Sequence, residues 1–191
     1  MKKLASLLAT SLVLAPVAAT AQVRDRDTGS VSIDGRVAPI CILGDPAPAL
    51  VDLGQLAATS GMRIGRLAVL APRTVTLPAS FCNFAGSAVR LDATALLGAD
   101  TSSPQPGFAR AVNYTATASG WASGNAEVST NALRDGSANA GSGTGATQPL
   151  PKIADIGVTL SNFSVPGDLL LVAGNYSGTV IITLGPAVIS N

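Results

Sequence analysis

Cys41 and Cys82 are the two residues of this chain whose chemistry is easiest to assign. They are the only cysteines among 191 residues, and the chain has no histidine, so a zinc site would lack most of its usual ligands. Their spacing does not fit a CxxC redox motif. In an exported chain an even pair of cysteines indicates a disulfide. A bridge closing a loop of about 42 residues is worth roughly 4 kcal/mol in the loop-entropy treatment, so we expect a structural Cys41–Cys82 bond.

Catalytic patterns are not found on inspection of the sequence. Residues 174–178 (GNYSG) differ from the G-x-S-x-G of a nucleophile elbow, and no histidine could act as a base for Ser177. Residues 141–145 (GSGTG) lack the lysine of a phosphate-binding loop. The acidic residues are scattered, without the pairing of a glycosidase or the density of a calcium loop. We therefore expect no enzyme activity, no catalytic residues, no metal and no cofactor.

The single tryptophan, Trp121, has two interpretations. An exposed indole could stack on a sugar, which would make Trp121 a ligand contact in a lectin-like protein. A buried indole would fill the end of a β-sandwich core. We favour the core position, while the sequence leaves both open.

The N-terminus has the pattern of a secretory signal peptide. Lys2 and Lys3 precede an apolar run at 4–15, and small residues follow at 19–21, so cleavage is expected before Gln22. Twelve apolar residues are fewer than the roughly 20 that span a membrane. We expect 1–21 to be removed and 22–191 to form a single exported domain.

The mature chain is nearly neutral. Removing Lys2 and Lys3 leaves ten of the twelve Lys and Arg residues against eleven Asp and Glu, a formal net charge of about −1. The basic residues are scattered along the sequence and do not predict a continuous basic surface that could bind the phosphates of a nucleic acid. A nucleic-acid partner is therefore not expected. Few charges also leave few side chains that oppose edge-to-edge strand pairing, a property that suits a polymerising subunit.

The elements that would position these residues are short strands. The clearest alternation runs over residues 74–81 into Cys82, with Val75, Leu77 and Ala79 on one face. Weaker patterns predict strands at 30–33, 36–42, 50–54, 63–70, 88–93, 112–119, 156–160, 169–172 and 176–184. Residues 93–97 could form one helical turn, and the Gly-, Ser- and Ala-rich residues 136–147 predict a flexible loop. Many short strands in one domain favour an all-β fold of the β-sandwich type.

The segment from Gly29 to Gln55 resembles a known family. It contains G-S-V-S-I-D-G-R-V-A-P-I-C and then V-D-L-G-Q at 51–55, as in the opening of chaperone–usher pilins, the fimbrial major subunits. The second cysteine also falls at the spacing of that family. Residues 173–186 (AGNYSGTVIITLGP) resemble the closing strand of spore coat U-type secreted pilins. The resemblance implies an immunoglobulin-like, pilin-type sandwich with one disulfide.

In pilins the sandwich lacks its last strand, and an N-terminal extension of the next subunit fills the open groove. The resemblance places this donor strand within 23–33 of the extension 22–33. Within this segment the odd-numbered positions would face the groove together in a strand. The small or apolar residues at these positions are Val23, Gly29, Val31 and Ile33. Asp25 and Asp27 share that parity, and burying an unpaired carboxylate is costly. In the alternative, 22–29 is a solvated tail and 30–33 begins the first strand of a complete sandwich.

The function implied is that of a structural subunit of a bacterial surface fimbria or coat, supporting adhesion or biofilm formation. Its partners would be neighbouring subunits, a periplasmic chaperone, an outer-membrane usher, and host or surface glycans. Its route would lead from the periplasm to the cell surface. The alternative is a self-complete secreted module that binds carbohydrate or protein through Trp121 and residues 136–147.

Overall fold

A computed structural model describes residues 28–187 of the chain. The predicted signal peptide at 1–21 and the candidate donor residue Val23 lie outside the described residues. The chain divides into two units, Met1–Val37 and Ala38–Asn191. In the first unit, the described residues 28–37 form no strand.

The second unit is built from strands, so the predicted all-β fold class is confirmed. The strands are β1 (Cys41–Ile42), β2 (Arg73–Cys82), β3 (Ser87–Thr94), β4 (Leu96–Gly98), β5 (Phe108–Ala109), β6 (Ala111–Ser119), β7 (Ala126–Ser129), β8 (Ala140–Thr144), β9 (Lys152–Ser164), β10 (Leu170–Leu171), β11 (Tyr176–Ser177) and β12 (Val180–Pro186). Single 3-10 turns lie at Gly61–Arg63 and Pro166–Asp168. Between residues 28 and 187, no helix is long and apolar enough to cross a membrane.

The strands form two main sheets. The larger sheet has the order β1-β2-β9-β6-β4-β11, and β7 also pairs with β6. The smaller sheet has the order β12-β3-β8, and β5 and β10 form a separate parallel pair. In the large sheet β9 joins β2 and β6 in antiparallel ladders. These pairings are distant in sequence, so the backbone hydrogen bonds of the longest strands connect remote parts of the chain.

The main core lies between these sheets. Leu77 and Ile156 of the large sheet and Leu91 of the small sheet are completely buried, and all three belong to one apolar cluster. Burial of such side chains contributes about 1.5–3 kcal/mol each. A second cluster around Ala109 and Val112 lies outside this main core and packs against Leu169 and Leu171.

Tyr114 of β6 connects the sheets through its hydroxyl group. The ring is 4% exposed, and the hydroxyl donates to the carbonyl oxygen of Thr94 at 2.9 Å. Thr94 belongs to β3, and its own N–H donates to Thr179, just before β12. Because burial disfavours the phenolate, it raises the pKa of Tyr114 from its usual 10.0 to about 12.

We expect the stability of the protein to fall between pH 10 and pH 12. The folded state keeps the Tyr114 proton up to about pH 12, whereas the unfolded chain releases it near pH 10, so rising pH favours unfolding. A shift of this size corresponds to a loss on the order of 3 kcal/mol. Urea unfolding at pH 9, 10 and 11 measures the effect. Tyr114→Phe, which also loses a hydrogen bond worth about 1 kcal/mol at neutral pH, should show a smaller decline, since only Tyr176, whose pKa burial also raises, remains, and an equal decline in both proteins would contradict this role.

A bulge in β2 changes the predicted alternation. Val75 and Leu77 are buried as expected, but Ala79 is exposed and Ser80 is buried. The register with β9 shifts between Leu77 and Ser80, where Pro78 has no N–H to donate. Ala79 adopts a φ of 50°, and its N–H donates to Asp155 at 2.8 Å. The extra residue turns Ser80 and Cys82 toward the core.

The prediction of a flexible loop at 136–147 was wrong for its central part, which forms β8 and pairs with β3. Glycines recur at every second position, 141, 143 and 145. A Cβ on Gly143 would overlap the carbonyl oxygen of Glu127 in β7. A Cβ on Gly145 would lie 2.9 Å from the nitrogen of Ala126. The glycines therefore let β8 approach the backbone of β7 at the edge where the two sheets meet.

Other strand predictions also differed from the structure. Residues 30–33 and 50–54 form no strand, and 63–70 contains only isolated bridges at Ile64 and Leu67. Residues 93–97 form the end of β3 and the start of β4 rather than a helical turn. Their backbone bonds to Asn139 and Thr179, and such long-range pairing overrides local propensity.

Candidate functional site

The outer edge of β12 is the most distinctive feature of the described fold. β12 pairs with β3 along one side, and among residues 28–187 no strand pairs with its other side. The strand has the sequence VIITLGP and carries no charge. An edge strand presents unpaired N–H and C=O groups and can add a further strand.

The hydrogen-bond register identifies the backbone groups at this open edge. The N–H of Thr94 donates to the oxygen of Thr179 at 2.9 Å, and the N–H of Ala187 donates to Gly86 at 3.0 Å. In an antiparallel pair the bonding residues alternate, so odd-numbered residues of β12 face β3. The backbone groups of Val180, Ile182 and Leu184 therefore point to the outer edge.

An apolar groove of about 360 Å³ lies beside this edge. Val180 and Ile182 line it along β12, and the segment 46–53 lines the opposite side. Its remaining apolar lining consists of Val75, Leu96, Tyr114, Val158, Leu160 and Phe163. These residues come from β2, β4, β6 and β9, so the groove reaches down to the interior face of the large sheet, where Leu96, Leu160 and Phe163 are only partly buried.

A second depression of about 440 Å³ lies at the other end of β12. It is lined by Leu184 and Pro186 on the β12 side and by Pro39 and Ile40 on the opposite side. Both depressions thus adjoin the open edge. An extended segment lying along β12 could place alternate side chains in each.

The segment 39–53 lies opposite β12 and forms the far wall of both depressions. The start of this wall is attached to β2. Cys41 and Cys82 are register partners in β1 and β2 and are joined by a disulfide, which confirms the predicted bridge. The side chain of Asn83 accepts a hydrogen bond from the N–H of Ile40 at 2.7 Å and donates to Ala38 at 2.9 Å. The wall therefore remains in place although β1 has only two residues.

Beyond Ala47, the wall no longer forms backbone hydrogen bonds with β2. Ala47 exchanges two backbone hydrogen bonds with Thr76, at 2.8 and 3.0 Å. From 48 to 55, the backbone forms no hydrogen bond with another described backbone group. This part of the groove is therefore bounded by side chains, among them Val51 and Leu53, and not by a paired strand.

Three candidate donor residues lie among the described residues that precede this wall. Val31 and Ile33 are 87% and 91% exposed, and Gly29 lies two positions before Val31. Val37 has the same parity and is 85% exposed. Large aliphatic side chains at alternate positions, exposed and outside any strand, indicate a segment suited to pairing elsewhere.

The fold buries Trp121. The indole is 3% exposed and belongs to the main core cluster. Lys152 covers this end of the core, with Nζ 5.8 Å from the ring centroid and donating to the carbonyl oxygens of Gly120 and Trp121 at 2.8 and 2.5 Å. The structure therefore gives Trp121 the core position and leaves no ring face on which a sugar could stack.

The salt bridges of the described fold lie on its surface. Arg90 lies 2.6 Å from Asp92, and Arg63 lies 2.7 Å from Asp168. Hydrogen bonding from the arginine lowers the pKa of each carboxyl group. These pairs are solvent-exposed and contribute little stability. Within residues 28–187 no three Cys, Asp or Glu side chains are grouped as metal ligands would be.

The sequence indicated part of this site and missed the rest. Residues 179–184 and the parity of Gly29, Val31 and Ile33 were visible as strand patterns. The residues at the bottom of the groove, such as Leu96 and Phe163, were not recognised, because long-range strand pairing brings them together. Comparison with protein-family models, curated proteins and solved structures found no match to this chain.

Proposed function

We propose that this protein is a pilin-type structural subunit of a bacterial surface fimbria or coat, assembled by donor-strand addition and supporting adhesion or biofilm formation. The observation that carries the proposal is the unpaired edge of β12 beside an apolar groove. The immunoglobulin-like classification and the partners, a periplasmic chaperone, an outer-membrane usher and neighbouring subunits, belong to the same proposal. Secretion to the cell surface is also part of this proposal.

The composition of β12 supports occupation of its open edge. A β-prone, uncharged segment is prone to aggregate when it is left unpaired. An added strand would satisfy the backbone groups of Val180, Ile182 and Leu184. Its side chains would cover the apolar lining of the groove. In this proposal a chaperone protects the edge before assembly and a second subunit occupies it afterwards.

The donor in this proposal is the segment 29–37. Its odd-numbered positions are Gly29, Val31, Ile33, Gly35 and Val37. Asp34 has the opposite parity and would face solvent. This register brings no acidic side chain into the groove, unlike a donor that includes Asp25 and Asp27, whose burial would be costly.

The alternative, a self-complete module in which 30–33 begins the first strand, receives less support. Residues 30–33 form no strand, and Val31 and Ile33 are exposed. A segment already integrated in a sandwich would have one apolar face buried.

Peptide capture tests the proposal directly. A fluorescent peptide of residues 29–37 is mixed with the mature chain carrying Ile33→Asp, which prevents the chain from donating its own segment. We expect a stable one-to-one complex, measured by anisotropy, because the peptide pairs with the open edge. Hydrogen exchange should slow at the amides of Val180, Ile182 and Leu184.

Two peptide variants provide the control, one with a new carboxylate on the groove side and one with it on the solvent side. Ile33→Asp in the peptide places a carboxylate in the groove and should abolish capture, whereas Ser32→Asp places it toward solvent and should preserve capture. Equal binding of the two peptides, or protection elsewhere than in β12, would exclude this edge as the acceptor.

A further inference from the structure

We propose that a further cavity, which adjoins the β12 groove and shares Leu50, Val51, Leu53 and Leu96 with it, binds a short neutral saccharide. The cavity has a volume of about 680 Å³ and lies between the segments 50–57 and 171–176. Small-molecule sites generally have volumes of about 300–1,000 Å³. The proposal concerns a binding function in addition to assembly, and its distinctive lining is the segment 171–176, which does not line the β12 groove.

Backbone hydrogen bonds hold three points of the two segments that form the cavity. The N–H of Ala68 donates to Leu56 at 2.8 Å, and the N–H of Ala99 donates to Asn175 at 3.0 Å. The N–H of Val172 donates to Ala109 at 3.0 Å. The hydroxyl of Tyr176 donates to Val172 at 2.7 Å across the second loop. These bonds hold the segment 171–176 at both ends and the segment 50–57 at Leu56, and such preorganisation lowers the entropy lost on binding.

The polar lining suits hydroxyl groups. The Oδ1 atom of Asp52 accepts the N–H of Gly54 at 2.8 Å, which orients the carboxylate and leaves its other oxygen able to accept. The side-chain amides of Gln55 and Asn175 are exposed, and neither has a hydrogen-bond partner among the described residues. A carboxylate accepts, while an amide both donates and accepts. Together they match sugar hydroxyls, which also do both.

The rest of the lining suits the apolar face of a sugar ring. Leu96, Leu171 and the ring of Tyr176 line the cavity together with the polar groups. No Lys or Arg is among the described residues that line it, and Asp52 is its one charged group. An anionic sugar would meet a carboxylate without a compensating cation, so the chemistry favours a neutral ligand.

This cavity provides the carbohydrate contact that buried Trp121 does not. The ring of Tyr176 is half-buried and lies in the cavity, whereas Trp121 lies in the main core. A glycan site on the subunit would let every copy in a polymer contribute to attachment. Multiple weak sites then bind a surface more strongly than one alone.

Solution NMR of the isotopically labelled mature chain tests the proposal. The probes are methyl mannoside, methyl galactoside, N-acetylglucosamine and lactose, with glucose 6-phosphate and sialyllactose as anionic comparisons. We expect at least one neutral probe to shift resonances of 50–57 and 171–176 saturably. No saturable shift with any neutral probe, or a response to the anionic probes alone, would overturn the proposal.

Three substitutions locate the binding. Asn175→Ala and Gln55→Ala should each raise the dissociation constant about tenfold, since each removes hydrogen bonds to the ligand. Neither amide bonds to another described residue, so both variants should keep the wild-type melting temperature. Asn125→Ala, a change at an exposed loop residue outside the cavity, should bind normally. Unchanged affinity in both cavity variants would place the sugar elsewhere and refute the site.

Discussion

Replacing Cys41 and Cys82 by alanine will lower the free energy of unfolding by about 4 kcal/mol. The two cysteines are 41 positions apart, and the bridge restricts the unfolded chain in proportion to the logarithm of that loop. A domain of this size is generally stable by about 5–15 kcal/mol. The double variant should therefore unfold at a markedly lower urea concentration.

The same bond holds the wall of the groove, so its loss should also weaken peptide capture. β1 has two residues, and without the disulfide only short hydrogen-bonded contacts such as those of Asn83 attach it to β2. The control is the wild-type protein in reductant, which should behave like the double variant. A loss of less than about 1 kcal/mol would show that the bridge adds little to the hydrogen-bonded wall.

Among substitutions of a glycine in the small sheet by alanine, Gly143→Ala will lower the free energy of unfolding the most. The new Cβ would overlap the carbonyl oxygen of Glu127 and lie 2.7 Å from its carbonyl carbon. Backbone atoms cannot rotate away as a side chain can, so β8 must separate from β7. Overpacking generally costs about 1–3 kcal/mol, and we expect the upper end of that range in urea unfolding.

Gly157→Ala is the matched control, a glycine in the central strand β9. A Cβ there would lie 3.7 Å from the Oγ of Ser119 and 3.9 Å from Thr74, which are ordinary contacts. This variant should be neutral or more stable by about 0.4–1 kcal/mol, because alanine restricts the unfolded chain. Similar losses in both variants would mean that the close approach of β7 and β8 is not what requires glycine.

The parts of the fold predicted from sequence were those with clear alternation of apolar residues. The alternating patterns around Val75 and Leu91 identified β2 and β3, since one face of each of these strands lies in the core, and a strand was also predicted around Tyr114, where the structure has β6. β8 was missed because glycine contributes no hydrophobic pattern, although its recurrence at every second position is itself a strand-like spacing. The burial of Ser80 was missed because a bulge at Pro78 interrupts the alternation of inward- and outward-facing residues.

The candidate site was predicted in the same uneven way. The uncharged segment 179–184 and the alternating residues of the N-terminal extension follow from local sequence. The bottom of the groove combines Val75, Leu96 and Phe163 from three separate strands, and no local pattern shows that these strands will meet. For Trp121 the sequence left two positions open, and the packing of the main core decides between them.

The most direct test of donor-strand assembly is a gel of surface material sheared from cells that express the full-length protein, run in detergent without heating. Two double variants are compared with the native chain. Val31→Asp with Ile33→Asp places both carboxylates on the groove side, and Ser30→Asp with Ser32→Asp places the same charges toward solvent. We predict a ladder of detergent-resistant multimers for the native protein and the serine variant, and only monomer for the Val31 and Ile33 variant. A monomer band in all three samples, or a ladder that survives the Val31 and Ile33 changes, would contradict assembly through this segment.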